Sequence, residues 1–213
     1  MIDFVVERWP QIAFASWQHL SLVVQSLALA TVIAVGLAVL TYRRKPLASL
    51  ANGVSAVGLT IPSFAFIGLL IAPMGFGVAP AVTVVTFFAA LPILRNALVG
   101  LAGVDSSLVE AARGISLSRF QTLVRVELPL AWPVILGGIR ISAQMVMGIA
   151  AVAAYSLGPG LGGLIFSGLS RLGGANALTS VVVGVVAVVV LALILDLLLV
   201  GLGRLTTPKG LRV

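Results

Sequence analysis

Apolar residues along this chain come in long blocks, separated by short stretches that hold most of the charge. A helix needs about 20 apolar residues to cross the hydrocarbon core of a bilayer. Five segments meet that length, at about 20–42, 52–72, 78–101, 133–156 and 179–203. They are apolar all round, with small residues interleaved, which suits helices packed in a bundle. Ala30, Ala34 and Ala38 fall four apart and would let a neighbouring helix approach closely. Residues 1–19 read as a short helix lying at the interface, with Trp9 and Trp17 as headgroup anchors. Pro62, in Thr60-Ile61-Pro62-Ser63, predicts a kink in the second span, with nearby hydroxyls satisfying the freed carbonyls.

Composition sharpens this picture. Of 213 residues, 60% are hydrophobic and 9% charged, and mean hydropathy is +1.21. A soluble domain carries about 25% charged residues, so most of this chain must face lipid or other helices. The fold class is therefore all-α, a polytopic helical bundle in a membrane. The chain divides into an N-terminal segment 1–19, a transmembrane region 20–203 and a tail 204–213. The absence of cysteine excludes disulfides, thiolate metal sites and thiol nucleophiles. With one histidine and six acidic residues, no metal cluster is expected. Asp3 and Glu7 precede the first apolar run, which argues against a secretory signal.

The formal charge of +7 does not point to nucleic acid, because the basic residues form no single stripe. They mark topology instead. Arg43, Arg44, Lys45, Arg113, Arg119, Arg125, Arg204, Lys209 and Arg212 fall on one side of a five-span layout. Only Arg8 and Arg171 fall on the other. By the positive-inside rule the N-terminus is outside and the C-terminus is cytoplasmic.

The stretch 104–133 is too polar to cross the membrane and too patterned for a plain loop. Ser107 and Glu110 have capping-box spacing, which predicts a short helix ending at Gly114 in the left-handed position. Ser118 and Gln121 predict a second start, with Phe120, Leu123 and Val124 on one face. Pro129 and Pro133 are expected to break the chain before the fourth span. The result is a helix–turn–helix platform with an apolar face and surrounding arginines. On pattern alone it reads equally well as an amphipathic loop on the inner leaflet or as a docking surface.

Glu110-Ala111-Ala112, then Arg113 and Gly114, then Leu128-Pro129 resemble the EAA loop of ABC importer permeases. Thr60-Ile61-Pro62-Ser63, Leu91-Pro92-Ile93-Leu94-Arg95-Asn96, Glu127-Leu128-Pro129-Leu130-Ala131, Gly138-Ile139-Arg140 and Thr207-Pro208-Lys209-Gly210 are similar to the glycine betaine, carnitine and choline branch. The resemblance runs from about His19 to Gly210. It implies a type I importer in a prokaryotic plasma membrane. Two ATPase subunits, a second permease subunit and an external binding protein would be its partners. On this resemblance Glu110, Ala111, Ala112, Arg113, Gly114, Arg119, Leu128 and Pro129 form the coupling element. Arg113 and Arg119 would meet acidic groups of the ATPase. The chain has no Walker motif, so it carries no cofactor, and ATP and Mg²⁺ are expected in the partner ATPase. Its role is non-catalytic.

A quaternary ammonium group has no proton to donate, so it is recognised by aromatic faces and carboxylates. The pathway candidates are Phe64, Met145, Met147 and Tyr155. Asp196, an intramembrane carboxylate, is expected to pair with an arginine or a helix N-terminus. His19 is expected at the interface or as a cap, and Gly158 to Gly163 as a flexible connector. A permease for an amino acid or an anion is the alternative within the same fold. A secondary transporter fits less well, since it calls for more buried ionisable groups and for repeats.

Overall fold

The computed structural model describes residues 1–207, all helices and connections with no strand among them. Among the described residues four helices are long and apolar enough to cross a membrane, or five if one bent pair counts as a span. The last residues of the Thr207 to Gly210 motif, with Lys209 and Arg212, lie outside the described residues.

Helix α1 runs unbroken over Ile2–Thr41 and contains Pro10. The expected boundary near residue 19 is therefore absent. The reason is a single packed stripe. Phe4, Ile12, His19, Leu22, Ser26, Ala30, Ala34 and Ala38 are all buried and recur at helical spacing. At about 1.5 Å per residue the helix is roughly 60 Å long, twice the hydrocarbon thickness. Trp9 and Trp17 are exposed on it.

The second apolar segment is broken, where a kink was expected. Helices α2 (Lys45–Gly58) and α3 (Ser63–Met74) meet at 97° across residues 59–62. Pro62 sits at the N-cap of α3 with extended backbone, since proline ends a helix that its ring cannot continue. The Thr60 hydroxyl donates at 2.7 Å to the Val57 carbonyl, which also accepts from the Thr60 N–H at 3.0 Å. Neither half is long enough to span alone. Gly58 lies so close to Leu91 that a Cβ there would stand 2.8 Å from its Cδ1.

Helix α4 (Val78–Ala102) is the hub, packed on α1, α2, α3 and α7. Its contact with α7 (Leu128–Ala153) is close because Gly138 leaves room for Asn96 and Gly100 for Ala131. The Ser142 hydroxyl, fully buried, donates to Ala89 O at 2.7 Å across the same seam. The expected break before the fourth span is also absent. Helix α6 (Arg119–Thr122) runs through a π-turn, 123–127, directly into α7. The Leu128 N–H reaches Leu123 O, five residues back. This widened turn relieves the clash that a proline ring makes with the preceding turn, so Pro129 starts α7 and Pro133 sits within it.

A short helix α8 (Gly162–Leu169), too short to span, packs against α9 (Ala177–Thr206). The preceding loop is no slack connector. Gly158 approaches Ala81 and the Ala153 carbonyl, Gly160 (φ +116°) lies on His19, and Gly162 lies on Ala151. His19 is correspondingly buried, with Nε2 3.2 Å from Met147 O, and is neither interfacial nor a cap.

Candidate functional site

Helix α5 (Ser106–Gly114) projects from the end of α4. Its cap is Asp105, whose carboxylate accepts from the Ser107 N–H at 2.8 Å; Ser107 does not cap it. That backbone hydrogen bond, with a smaller one from the Ser107 side chain, holds the exposed Asp105 carboxyl below its usual range. The helix ends at Gly114 as expected, but the left-handed residue is Ser116, at φ 63°. The Leu117 N–H donates to Ala112 O and the Ser116 N–H to Arg113 O, a Schellman closure with serine in the usual glycine position. The second expected cap is present in both directions. Ser118 Oγ accepts from the Gln121 N–H at 3.2 Å, and Gln121 Oε1 accepts from the Ser118 N–H at 2.8 Å.

Of the motif residues, Glu110, Ala111, Arg113, Gly114 and Arg119 are exposed, Ala112 is buried, and Leu128 and Pro129 are half-buried. Leu108, Ile115, Phe120 and Val124 are exposed between Arg113, Arg119 and Arg125. A Cβ added at Gly114 would meet nothing within 4 Å. The platform therefore presents an unpartnered apolar surface rimmed by cations, with room at Gly114 for close approach.

The platform is tied to the spans by a side chain that the motif reading left without a role. Glu127, at the end of the π-turn, is buried although acidic. It accepts from the Tyr42 hydroxyl at 2.6 Å and from Arg43 Nη2 at 2.9 and 3.0 Å. The clasp joins the end of α1, and the turn that feeds α2, to the root of the platform. A carboxylate at the edge of an apolar span, with an arginine at the end of another, was the available signal. The Trp132 Nε1–H donates to Thr206 Oγ1 at 2.7 Å, bringing the end of α9 to the same region. Arg43, Arg125 and Arg204 thus belong to one end of the bundle. Arg8 and Arg171 line one small cavity against the start of α9, at the other end.

Asp196 forms a two-pronged ion pair with Arg140, at 2.9 and 3.0 Å, linking α9 to α7. The pathway candidates separate. Met147 is 1% exposed and belongs to the core, so it lines no passage here. Met145 borders a groove of about 390 Å³ with Leu59, Pro92, Asn96 and Ile141. A larger groove, about 830 Å³, runs along α2 from Pro46 to Gly58 and Ile61, closed by Phe87. Phe64 and Tyr155 do meet, with ring centroids 4.7 Å apart.

A bundle built round a broken span, with an exposed helix–turn–helix platform at its basic end, defines a multi-pass membrane transport component. Residues 30–207 match the family described as "Binding-protein-dependent transport system inner membrane component", and the chain belongs to that family. It is 40% identical to the osmoprotectant import permease protein OsmW of Salmonella typhimurium, over 99% of each chain. It is 34% identical to the glycine betaine/carnitine/choline transport system permease protein OpuCB of Bacillus subtilis, over 100% of this chain and 96% of that one. The choline transport system permease protein OpuBB of the same organism is 32% identical, with the same coverage. In fold the chain matches a solved structure titled "Inward facing conformations of the MetNI methionine ABC transporter", with TM-score 0.75 and 24% identity, over 92% of this chain and 96% of that one. The relatives are permease subunits, and the family is one of membrane components of binding-protein-dependent transport systems.

Proposed function

We propose that this chain forms the translocation pathway of an ATP-driven importer for a compatible solute of the glycine betaine, carnitine or choline type. The observation that carries the reading is the α5–α6 platform, exposed, apolar and rimmed by arginines, in a chain so similar to osmoprotectant permeases. Two ATPase subunits dock on this platform and on that of a second permease subunit. ATP and Mg²⁺ are bound, and ATP is hydrolysed, in those ATPase subunits. An extracytoplasmic binding protein delivers the solute. The basic end faces the cytoplasm, as the positive-inside rule requires.

Force then has a short route. Closure of the ATPase dimer moves α5 and α6. The π-turn and α7 continue from α6 without a break, so the fourth span moves with them. Glu127 passes the displacement to the end of α1 and the start of α2 through Tyr42 and Arg43. The break at 59–62 then gives a place for the second span to flex.

The test is uptake into vesicles holding the assembled importer, with labelled choline, glycine betaine, carnitine and methionine. ATP-dependent uptake of one or more of the first three supports the reading. Uptake of methionine alone overturns the substrate class, and ATP hydrolysis by this polypeptide alone overturns its non-catalytic role.

A further inference from the structure

Six aromatic rings of this chain gather in two groups of opposite character. Phe66, Phe87 and Phe88 pack with centroids 4.8, 5.3 and 6.1 Å apart. Phe88 is buried and the group belongs to the core, where α3 crosses α4. Phe64, Tyr155 and Phe166 form the second group, with Tyr155 4.7 Å from Phe64 and 5.9 Å from Phe166. Here the rings are open, with Phe64 48% and Tyr155 50% exposed.

The second group comes from three elements, and two of its rings lie next to an interruption of a helix. Phe64 lies in the first turn of α3, just after the broken span. Tyr155 lies in the 3₁₀ turn that ends α7, and Phe166 lies in α8. The turn that carries Tyr155 is fixed. The Ser156 hydroxyl donates to Ala153 O at 2.8 Å, and Ser156 O accepts from the Gly77 N–H at 2.7 Å. Leu157, next in the chain, holds a left-handed backbone at φ 60°, which a leucine adopts only when its surroundings impose it.

We propose that Phe64, Tyr155 and Phe166 form a cation–π subsite in the permease for the quaternary ammonium head of the transported solute. This rests on the substrate class inferred above. A trialkylammonium group donates no hydrogen bond, so hydroxyls and carbonyls gain little from it, and carboxylates or ring faces remain. The two carboxylates within the bundle are engaged. Asp196 is paired with Arg140 and Glu127 with Arg43. Asp105 and Glu110 lie on the platform, and Asp3 and Glu7 at the start of α1. Phe14, Trp17 and Phe76 are exposed too, but among the described residues Phe64 and Tyr155 are the exposed rings that touch one another, which gives a cation two adjacent ring faces. Exposed cation–π contacts are weak, about two- to fivefold in affinity per ring. Weak binding suits a waypoint that must release its solute inward.

The experiment uses the assembled importer in vesicles, with choline uptake measured at saturating binding protein. Phe64→Leu and Tyr155→Leu keep apolar bulk and remove the ring. Phe64→Trp and Tyr155→Phe keep it. Each leucine variant is expected to raise the half-saturating choline concentration or lower the uptake rate about two- to fivefold, with Trp and Phe near wild type. If a leucine variant fails to assemble, phenylalanines of increasing fluorination at position 64 replace it, and uptake should fall stepwise with ring electron density. Unchanged kinetics in the leucine variants, equal losses in Leu and Trp, or no trend on fluorination would overturn the subsite. A wild-type importer that moves no quaternary ammonium solute but moves another would overturn the substrate class instead.

Discussion

Glu127 and Arg43 make an unequal pair, and the inequality can be measured. The Glu127 side chain is 5% exposed and that of Arg43 38%. Arg43→Ala leaves a buried carboxylate with Tyr42 as its remaining donor. Stranding one member of a fully buried pair costs about 3–5 kcal/mol. Partial solvation of Arg43 lowers this to about 2–3 kcal/mol. Glu127→Gln keeps shape and an acceptor for Tyr42, and Arg43 turns to water, so the loss is about 1–1.5 kcal/mol. The double variant strands nothing, so it should fall short of the sum by at least about 1–1.5 kcal/mol. The assay is thermal unfolding of the purified importer, with ATP-driven uptake measured alongside. Arg43→Ala should lower the midpoint most, and Arg43→Ala/Glu127→Gln should lie no lower than Arg43→Ala alone. If the clasp transmits force, uptake per ATP hydrolysed falls even at temperatures where all variants stay folded. Additive midpoints together with unchanged coupling would refute the clasp as a working contact.

Single cysteines at Ser106 and Ser170 should react with an impermeant thiol reagent from opposite faces of the membrane, the first from the cytoplasm; labelling from one face would break the topology. The Asp105 carboxyl has its pKa lowered on folding by the Ser107 N–H, so its contribution to α5 is present above the unfolded carboxylate pKa and is lost as pH falls through the folded one. Amide protection of α5, read by hydrogen exchange, should fall in that acid range in wild type, and Asp105→Asn should remove the pH dependence. Gly114→Val should leave membrane yield unchanged and abolish substrate-stimulated ATPase activity, because its Cβ meets nothing in this chain and can clash only with a docked partner. Ser116→Val should destabilise the turn itself by about 1–3 kcal/mol, visible as lost amide protection in α5 before any partner binds.

What the sequence made legible followed from length and periodicity. The apolar blocks at 78–101 and 179–203 became α4 and α9, extended by a few residues at their ends. The alanine ladder of α1 is wholly buried, and the Asp196–Arg140 pair formed as expected. The misreadings share one cause, which is that local signals lose to tertiary packing. A Trp-bearing, charged N-terminus reads as a separate helix, yet Phe4 and Ile12 continue the buried stripe and fuse it to the span. Pro129 and Pro133 read as breakers, yet a π-turn absorbs the first and a helix under dense packing tolerates the second. Pro62 marks the opposite case. It reads as a kink, but no neighbour restores the axis, and the span turns through 97°.

The glycines divide along a line the sequence does not draw. Gly58, Gly138, Gly158, Gly160 and Gly162 each press on a named neighbour within this chain, so their absent side chains are explained by its own packing. Gly53, on α2 in the wall of the larger groove, and Gly114, at the end of α5, press on nothing. A glycine inside a helix costs about 1 kcal/mol relative to alanine, and open space offers no return for that cost. Gly36, Gly68, Gly137, Gly148 and Gly201 are equally open, so open space alone does not mark a contact. At Gly114 the surrounding arginines and exposed apolar side chains supply the rest of a protein-docking surface. At Gly53 the groove is lined almost wholly by apolar side chains and lies beside the broken span. Under the proposed function the platform at Gly114 meets the ATPase, and Glu127 ties the root of that platform to Tyr42 and Arg43 at the end of α1, so movement of the platform reaches the spans through the clasp.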